Sequence, residues 1–181
     1  MSVLTDYFAA ASDEVAATAA DADAGQPRLL DLTPEDVAAG KALYRTSPDE
    51  AARPRVQVTQ SGTLVVQSRR IDPAIALVGL ERILTDRAYA EVRTDPRQSA
   101  LIGPAREEEI DGDVVLSVTD TLRDALASLE TAALPEVARQ WAKAEFDAAA
   151  ADSLAAFLVA LTDLARRAVS AGNRLYCHVT F

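Results

Sequence analysis

The C-terminal stretch constrains the fold more than any other part of the chain. Leu154, Phe157, Leu158, Leu161, Leu164, Ala165 and Ala168 recur at the helical period, which predicts a helix over 153–171 with Asp163, Arg166, Arg167 and Ser170 on its wet face. Asp152 reads as its cap and Gly172-Asn173 as its stop. Residues 174–180 then alternate as a strand does. Leu175, Cys177, Val179 and Phe181 share an apolar face that is expected to meet the helices, while Tyr176, His178 and Thr180 share the other.

The remaining chain reads as further helices and short strands. Residues 3–9 predict a strand, and Ser12 caps a helix running to about Asp23. Thr33-Pro34-Glu35-Asp36 opens another helix to about Arg45, followed by a loop over 46–54. Two β-rich runs, 55–60 and 63–68, flank Ser61-Gly62. They predict a hairpin pairing Val58 with Val65 and Thr59 with Leu64. Asp72-Pro73 caps a helix over about 74–86 whose stripe is Ile75, Val78, Leu80, Ile83 and Leu84; Gly79 falls inside it and suggests a close helix–sheet contact. Residues 87–113 show little regularity. Leu101-Ile102 and the Asp111-Gly112 turn before Val114–Val118 suggest a second hairpin. Thr119 caps a helix over 120–130, and Pro135 opens one over about 135–146. Without regular β–α alternation, the pattern predicts one α+β domain over 1–181, several helices packed on a small antiparallel or mixed sheet.

Composition narrows the chemistry. With 181 residues the chain makes one ordinary domain, large enough to bury about two thirds of the surface of its unfolded form. It holds 37 Ala, so its core is expected to be helix packed through small side chains. No run of about 18 apolar residues predicts a membrane span, and the N-terminus lacks the pattern of a secretory signal, so a cytoplasmic location is expected. A single Cys and a single His exclude an internal disulfide framework, a Cys-built zinc site and multi-His metal chemistry. No Gly-rich phosphate loop or dinucleotide fingerprint appears, so no cofactor is expected. A net charge of −10 disfavours nucleic acid. The acid concentrates in residues 1–54 and in Glu107, Glu108, Glu109, Asp111 and Asp113, which read as a solvated surface, or as a docking face for a basic partner.

Cys177 and His178 are neighbours and invite a nucleophile–base reading. A regular strand points them to opposite faces, so Cys177 reads as a buried apolar side chain and His178 as structural, or as a lone acid/base or ligand beside Tyr176. Trp141 reads as a core aromatic. Glu145, one turn on, reads as the rim of that buried face or as a partly buried carboxylate, and the two, with Phe146, mark a pocket edge. No set of residues makes a catalytic or metal constellation. Candidate binding residues are Tyr89, Trp141, Glu145, Tyr176 and His178.

Several landmarks taken in order resemble the YfbM-like family of uncharacterised small proteins: Asp6-Tyr7-Phe8-Ala9 followed by Ser12-Asp13-Glu14; Asp72-Pro73 leading to Leu84-Thr85; and Trp141-Ala142, Glu145-Phe146, a long helix, Gly172-Asn173 and Leu175-Tyr176-Cys177-His178-Val179. The resemblance implies a single α+β domain and carries no assigned activity. Negative charge without a catalytic constellation points instead to a non-enzymatic, acidic interaction module, inhibitor- or immunity-like, that masks a basic protein. The alternative is a small ligand-binding domain or enzyme whose pocket gathers Tyr89, Glu145, Tyr176 and His178.

Overall fold

Ser12 accepts a hydrogen bond from the Val15 amide at 3.3 Å and starts the first helix directly after the first strand. The computed structural model describes residues 4–23, 55–58, 64–69, 71–102 and 114–180, and of 19–23 and 55–58 the backbone alone. Its strands are β1 (Leu4–Ala10), β2 (Arg55–Val58), β3 (Leu64–Arg69), β4 (Leu101–Ile102), β5 (Val114–Ser117) and β6 (Arg174–Thr180). Its helices are α1 (Asp13–Asp23), α2 (Ala76–Thr85), α3 (Tyr89–Arg93), α4 (Asp120–Ser128), α5 (Leu134–Glu145) and α6 (Ala151–Ser170), with short 3₁₀ turns at Thr131–Ala133 and Ala148–Ala150.

The strands form one sheet in the order β2-β3-β1-β6-β5-β4, and every neighbouring pair is antiparallel. The fold is a single α+β domain, and of the two expected sheet types it is the antiparallel one. β1 and β6 pair along their whole length at the centre, from Leu4↔Thr180 to Ala10↔Arg174. Alternation then divides the apolar residues between two faces. Tyr7, Val66, Leu175, Cys177 and Val179 face α2, α4, α5 and α6 in the main core. Phe8, Val115 and Tyr176 face the other way, against Ala16 of α1. The apolar face expected of 175–179 is therefore the helix-bearing one; Phe181 lies outside the described residues.

α6 lies across this face and fills it with Leu154, Phe157, Leu158, Leu161 and Leu164. The Phe157 ring meets Tyr7 edge-on at 5.3 Å. Ala148–Ser170 is long and apolar enough to cross a membrane by length and composition alone; here its apolar stripe is buried, while Asp152, Asp163, Arg166 and Arg167 are exposed. Gly172, at φ 68°, takes the left-handed turn that ends α6, and the Asn173 amide reaches back to Ala168 O at 2.8 Å.

Four details differ from the sequence reading. The β2–β3 register is Val58↔Leu64 and Gln57↔Val65, one residue from the expected pairing. The neighbouring strand explains it: Val66 lies opposite Tyr7 and is buried with it in the helix-side core, and the observed register sets Val56 opposite Val66 where the expected one would set Gln57. Asp152 sits in the first turn of α6, and it is Asp147 that caps the preceding 3₁₀ turn through the Ala149 amide. Residues 89–93 form α3, a short helix. Gly79 makes its close approach to a helix rather than the sheet, since a Cβ there would fall 2.8 Å from Glu145 Cδ on α5. The expected helix over 33–45, the loop over 46–54 and the acidic stretch 107–113 lie outside the described residues.

Candidate functional site

On the sheet face opposite α6, four separate segments bring charged groups together around Tyr176. Its hydroxyl donates to Asp13 Oδ1 at 2.6 Å. Asp13 opens α1, where a carboxylate suits the exposed amides of the first turn. Arg97 comes from the segment between α3 and β4. Ser117 of β5 fastens that segment: its amide donates to Ala100 O at 2.9 Å and its hydroxyl to Arg97 O at 2.7 Å. The guanidinium so placed lies over the Tyr176 ring, 5.5 Å from its centre, and donates from Nη1 to Asp13 Oδ1 at 3.0 Å.

Asp120, the first residue of α4, extends the cluster. Arg123 Nη1 is 3.0 Å from its Oδ1, and Arg97 Nε and Arg174 Nε are each 3.9 Å from its Oδ2. Arg174 also approaches Asp13 at 3.7 Å, so two carboxylates share three guanidinium groups. The Tyr176 hydroxyl and the Arg97 guanidinium hold Asp13 below the usual carboxylate range. Burial, reinforced by Asp13, pushes the Tyr176 phenol above its ordinary value. Near neutral pH the phenol is a fixed donor and the carboxylate a fixed acceptor. The cluster is suited to tying α1, the 94–100 segment, α4 and β6 together rather than to moving protons.

His178 occupies the next same-face position of β6. It lies opposite Asp6 of β1 on one side and Val115 of β5 on the other, and Asp6 accepts from Gln67 Nε2 at 2.9 Å. Cys177 points to the helix side, where its thiol donates to Leu116 O at 3.7 Å and burial pushes it well above its ordinary value. Sulfur and imidazole are thus on opposite faces, as strand geometry requires.

The five candidate binding residues fall in three places. Tyr176 and His178 share the α1 side of the sheet. Trp141 and Glu145 belong to α5 on the other side. Trp141 is fully buried, donates from Nε1 to Ala76 O at 2.9 Å, and meets Phe146 edge-on at 5.5 Å. Glu145 is exposed and its carboxyl rests against Gly79. Tyr89 is exposed on α3 with Arg82 over its ring at 5.8 Å. Tyr89, Glu145, Tyr176 and His178 therefore do not converge in one pocket.

A second ionic group lies inside the helix layer. Glu81 of α2 has no exposed side-chain surface. It accepts from Arg87 Nη1 at 2.6 Å and from the Thr119 hydroxyl. Thr119 Oγ1 in turn accepts from the Leu122 amide at 3.1 Å, capping α4. Arg87 also reaches Glu91 O at 3.2 Å. Among the described residues, no group of three or more His, Cys, Asp or Glu side chains is placed to hold a metal ion.

Asp13, Arg97, Asp120 and Arg174 were not among the sequence candidates. Asp13 gave only the signal of a first-turn acid, and Arg97 sits in the stretch with least pattern. Compared with family models, curated proteins and solved structures, the chain matches none.

Proposed function

We propose that this chain is an acidic, cytoplasmic interaction module that binds a basic protein partner and masks it, in the manner of an inhibitor or immunity protein. One observation carries the reading: most of the described bases are occupied within the chain, and the exposed carboxylates without an ion pair among the described residues outnumber the bases left over, Arg69, Arg82, Arg93 and Lys143. Arg87, Arg97, Arg123, Arg139, Arg167 and Arg174 are ion-paired to the chain's own acids. Arg166 is spent on the Ala127 and Leu129 carbonyls at the end of α4. Asp86, Glu130, Glu145 and Asp152 are exposed and make no ion pair among the described residues. A surface whose free carboxylates outnumber its free bases attracts basic partners and repels phosphate backbones. The proposal extends to the YfbM-like family, whose resembling landmarks lie in β1–α1, in α2 and in α5–α6–β6.

Affinity capture on the purified chain tests this, at about 0.1 M and about 1 M salt, between which the screening length falls from about 10 Å to about 3 Å. The expected result is a stoichiometric complex with a net-positive protein, stable by size exclusion at the lower salt and dissociated at the higher. Lys substitutions at Asp86, Glu130, Glu145 and Asp152 should weaken it. Absence of a stoichiometric complex at low salt, or a complex indifferent to salt and to these substitutions, would overturn the reading.

A further inference from the structure

We propose that α1 is a latched cover over the aromatic face of the sheet, able to swing away without unfolding the core, with Asp13 as the latch. Among the described residues α1 is the only helix on this face. Of its side chains from Asp13 to Thr18, Ala16 alone is buried, while Glu14, Val15 and Thr18 are exposed. An alanine removes little apolar area from water, so packing holds these described turns of the helix weakly.

What lies beneath is larger than what covers it. Phe8 and Tyr176 stack at 5.8 Å, flanked by Val115, with Ile102 packed against the group. This apolar group shares no residue with the main core on the other face, so lifting α1 leaves α2, α4, α5 and α6 packed. At its N-terminal end the contacts are of a different kind. Asp13 accepts two charge-assisted or strong hydrogen bonds, from Tyr176 and Arg97, with Arg174 nearby. The groups that hold Asp13 come from β6 and from the 94–100 segment, both anchored independently of α1. A helix whose described side chains hold it by one alanine and one carboxylate is a local opening unit, and its release exposes the Phe8–Tyr176 pair.

Native-state hydrogen exchange on the full chain tests this, comparing wild type with Asp13→Asn and Tyr176→Phe. In the wild type the amides of α1 beyond its first turn should exchange about 100-fold or more faster than those of α6 and central β6. Asp13→Asn should speed α1 exchange by a further factor of about ten or more, with α6 unchanged. Tyr176→Phe, which removes one donor and keeps the ring, should have a smaller effect in the same direction. The proposal is overturned if α1 exchanges at the rate of α6 in the wild type, or if Asp13→Asn speeds α6 as much as α1. Tyr176→Phe supplies the same comparison should Asp13→Asn fail to fold.

Discussion

Replacing Arg87 by Met isolates the worth of the buried ion pair in the helix layer. The Glu81 side chain is 0% exposed, that of Arg87 is 28% exposed, and the pair closes at 2.6 Å. Without the guanidinium, a desolvated carboxylate keeps only the Thr119 hydroxyl. Leaving one member of a buried pair unpartnered costs about 3–5 kcal/mol. Arg87 is near enough to solvent for water to follow it, which sets the expectation at the lower end, about 3 kcal/mol, or a Tm lower by about 6–12 °C for a chain of this size. Glu81→Leu should cost less, because the stranded Arg87 keeps Glu91 O at 3.2 Å and Asp95 at 3.6 Å. Combining the two substitutions removes both charges and should return stability to within about 1.5 kcal/mol of wild type. Urea unfolding followed by the fluorescence of Trp141, the chain's one tryptophan, measures all four proteins. Its indole is bonded to Ala76 in the helix that carries Glu81. An Arg87→Met cost below about 1 kcal/mol, or a double variant as unstable as the sum of the singles, would refute a charged, desolvated Glu81.

Two further outcomes follow from the same contacts. In a Glu145→Ala background, Gly79→Ala should stabilise α2 by about 1 kcal/mol, the usual difference between the two residues inside a helix. With Glu145 present the new Cβ meets its carboxyl group, and the gain should shrink; equal gains in both backgrounds, by urea midpoint, would remove that contact. Asp13 faces Tyr176, Arg97 and Arg174 with Asp120 beyond them and Glu14 on its own helix, and its carboxyl is held below the ordinary range by the Tyr176 hydroxyl first and Arg97 second. A depressed folded value means that its stabilisation is fully present above the unfolded carboxylate value and is lost as pH falls through the folded one. Asp13→Asn should therefore flatten the acid limb of α1 hydrogen-exchange protection against pH; an unchanged limb would assign that limb to other groups.

The elements legible in the sequence are those whose side chains repeat against a single partner surface. α6 carries a stripe of Leu and Phe because one face of the sheet is continuous beneath it, and β6 alternates because its two faces meet different environments. Caps are legible for a similar reason, since Ser12 and Thr119 each accept from an amide three residues on; Asp72, also expected as a cap, bonds Ala74 in the turn before α2, whose N-cap position is Ile75. The β2–β3 register was not legible. A turn signal weighs two strands, whereas the face of Val66 is set by Tyr7 on a third strand some sixty residues earlier, and with Val66 in the core it is Val56, not Gln57, that lies opposite it. Glu145 and Gly79 looked unrelated for the same reason, each reading as a local feature of its own helix until α2 and α5 were packed together.

The charged cluster was illegible because nothing in it is local. Tyr176 and Asp13 are 163 positions apart, and Arg97 and Asp13 are 84 apart. Among the paired residues, each taken alone had an adequate explanation: a first-turn acid, a strand tyrosine, an arginine in an irregular stretch. Only the sheet order, which seats β6 between β1 and β5, carries the start of α1 and the 94–100 segment to the same tyrosine. That order also separates the two kinds of adhesion in this chain. The α6 side is held by large apolar side chains that leave no cheap partial opening, while the described side chains of α1 hold to their side by an alanine and a carboxylate. A sequence with 37 alanines can afford a thin helix of this kind because the charged latch, not apolar area, keeps it in place.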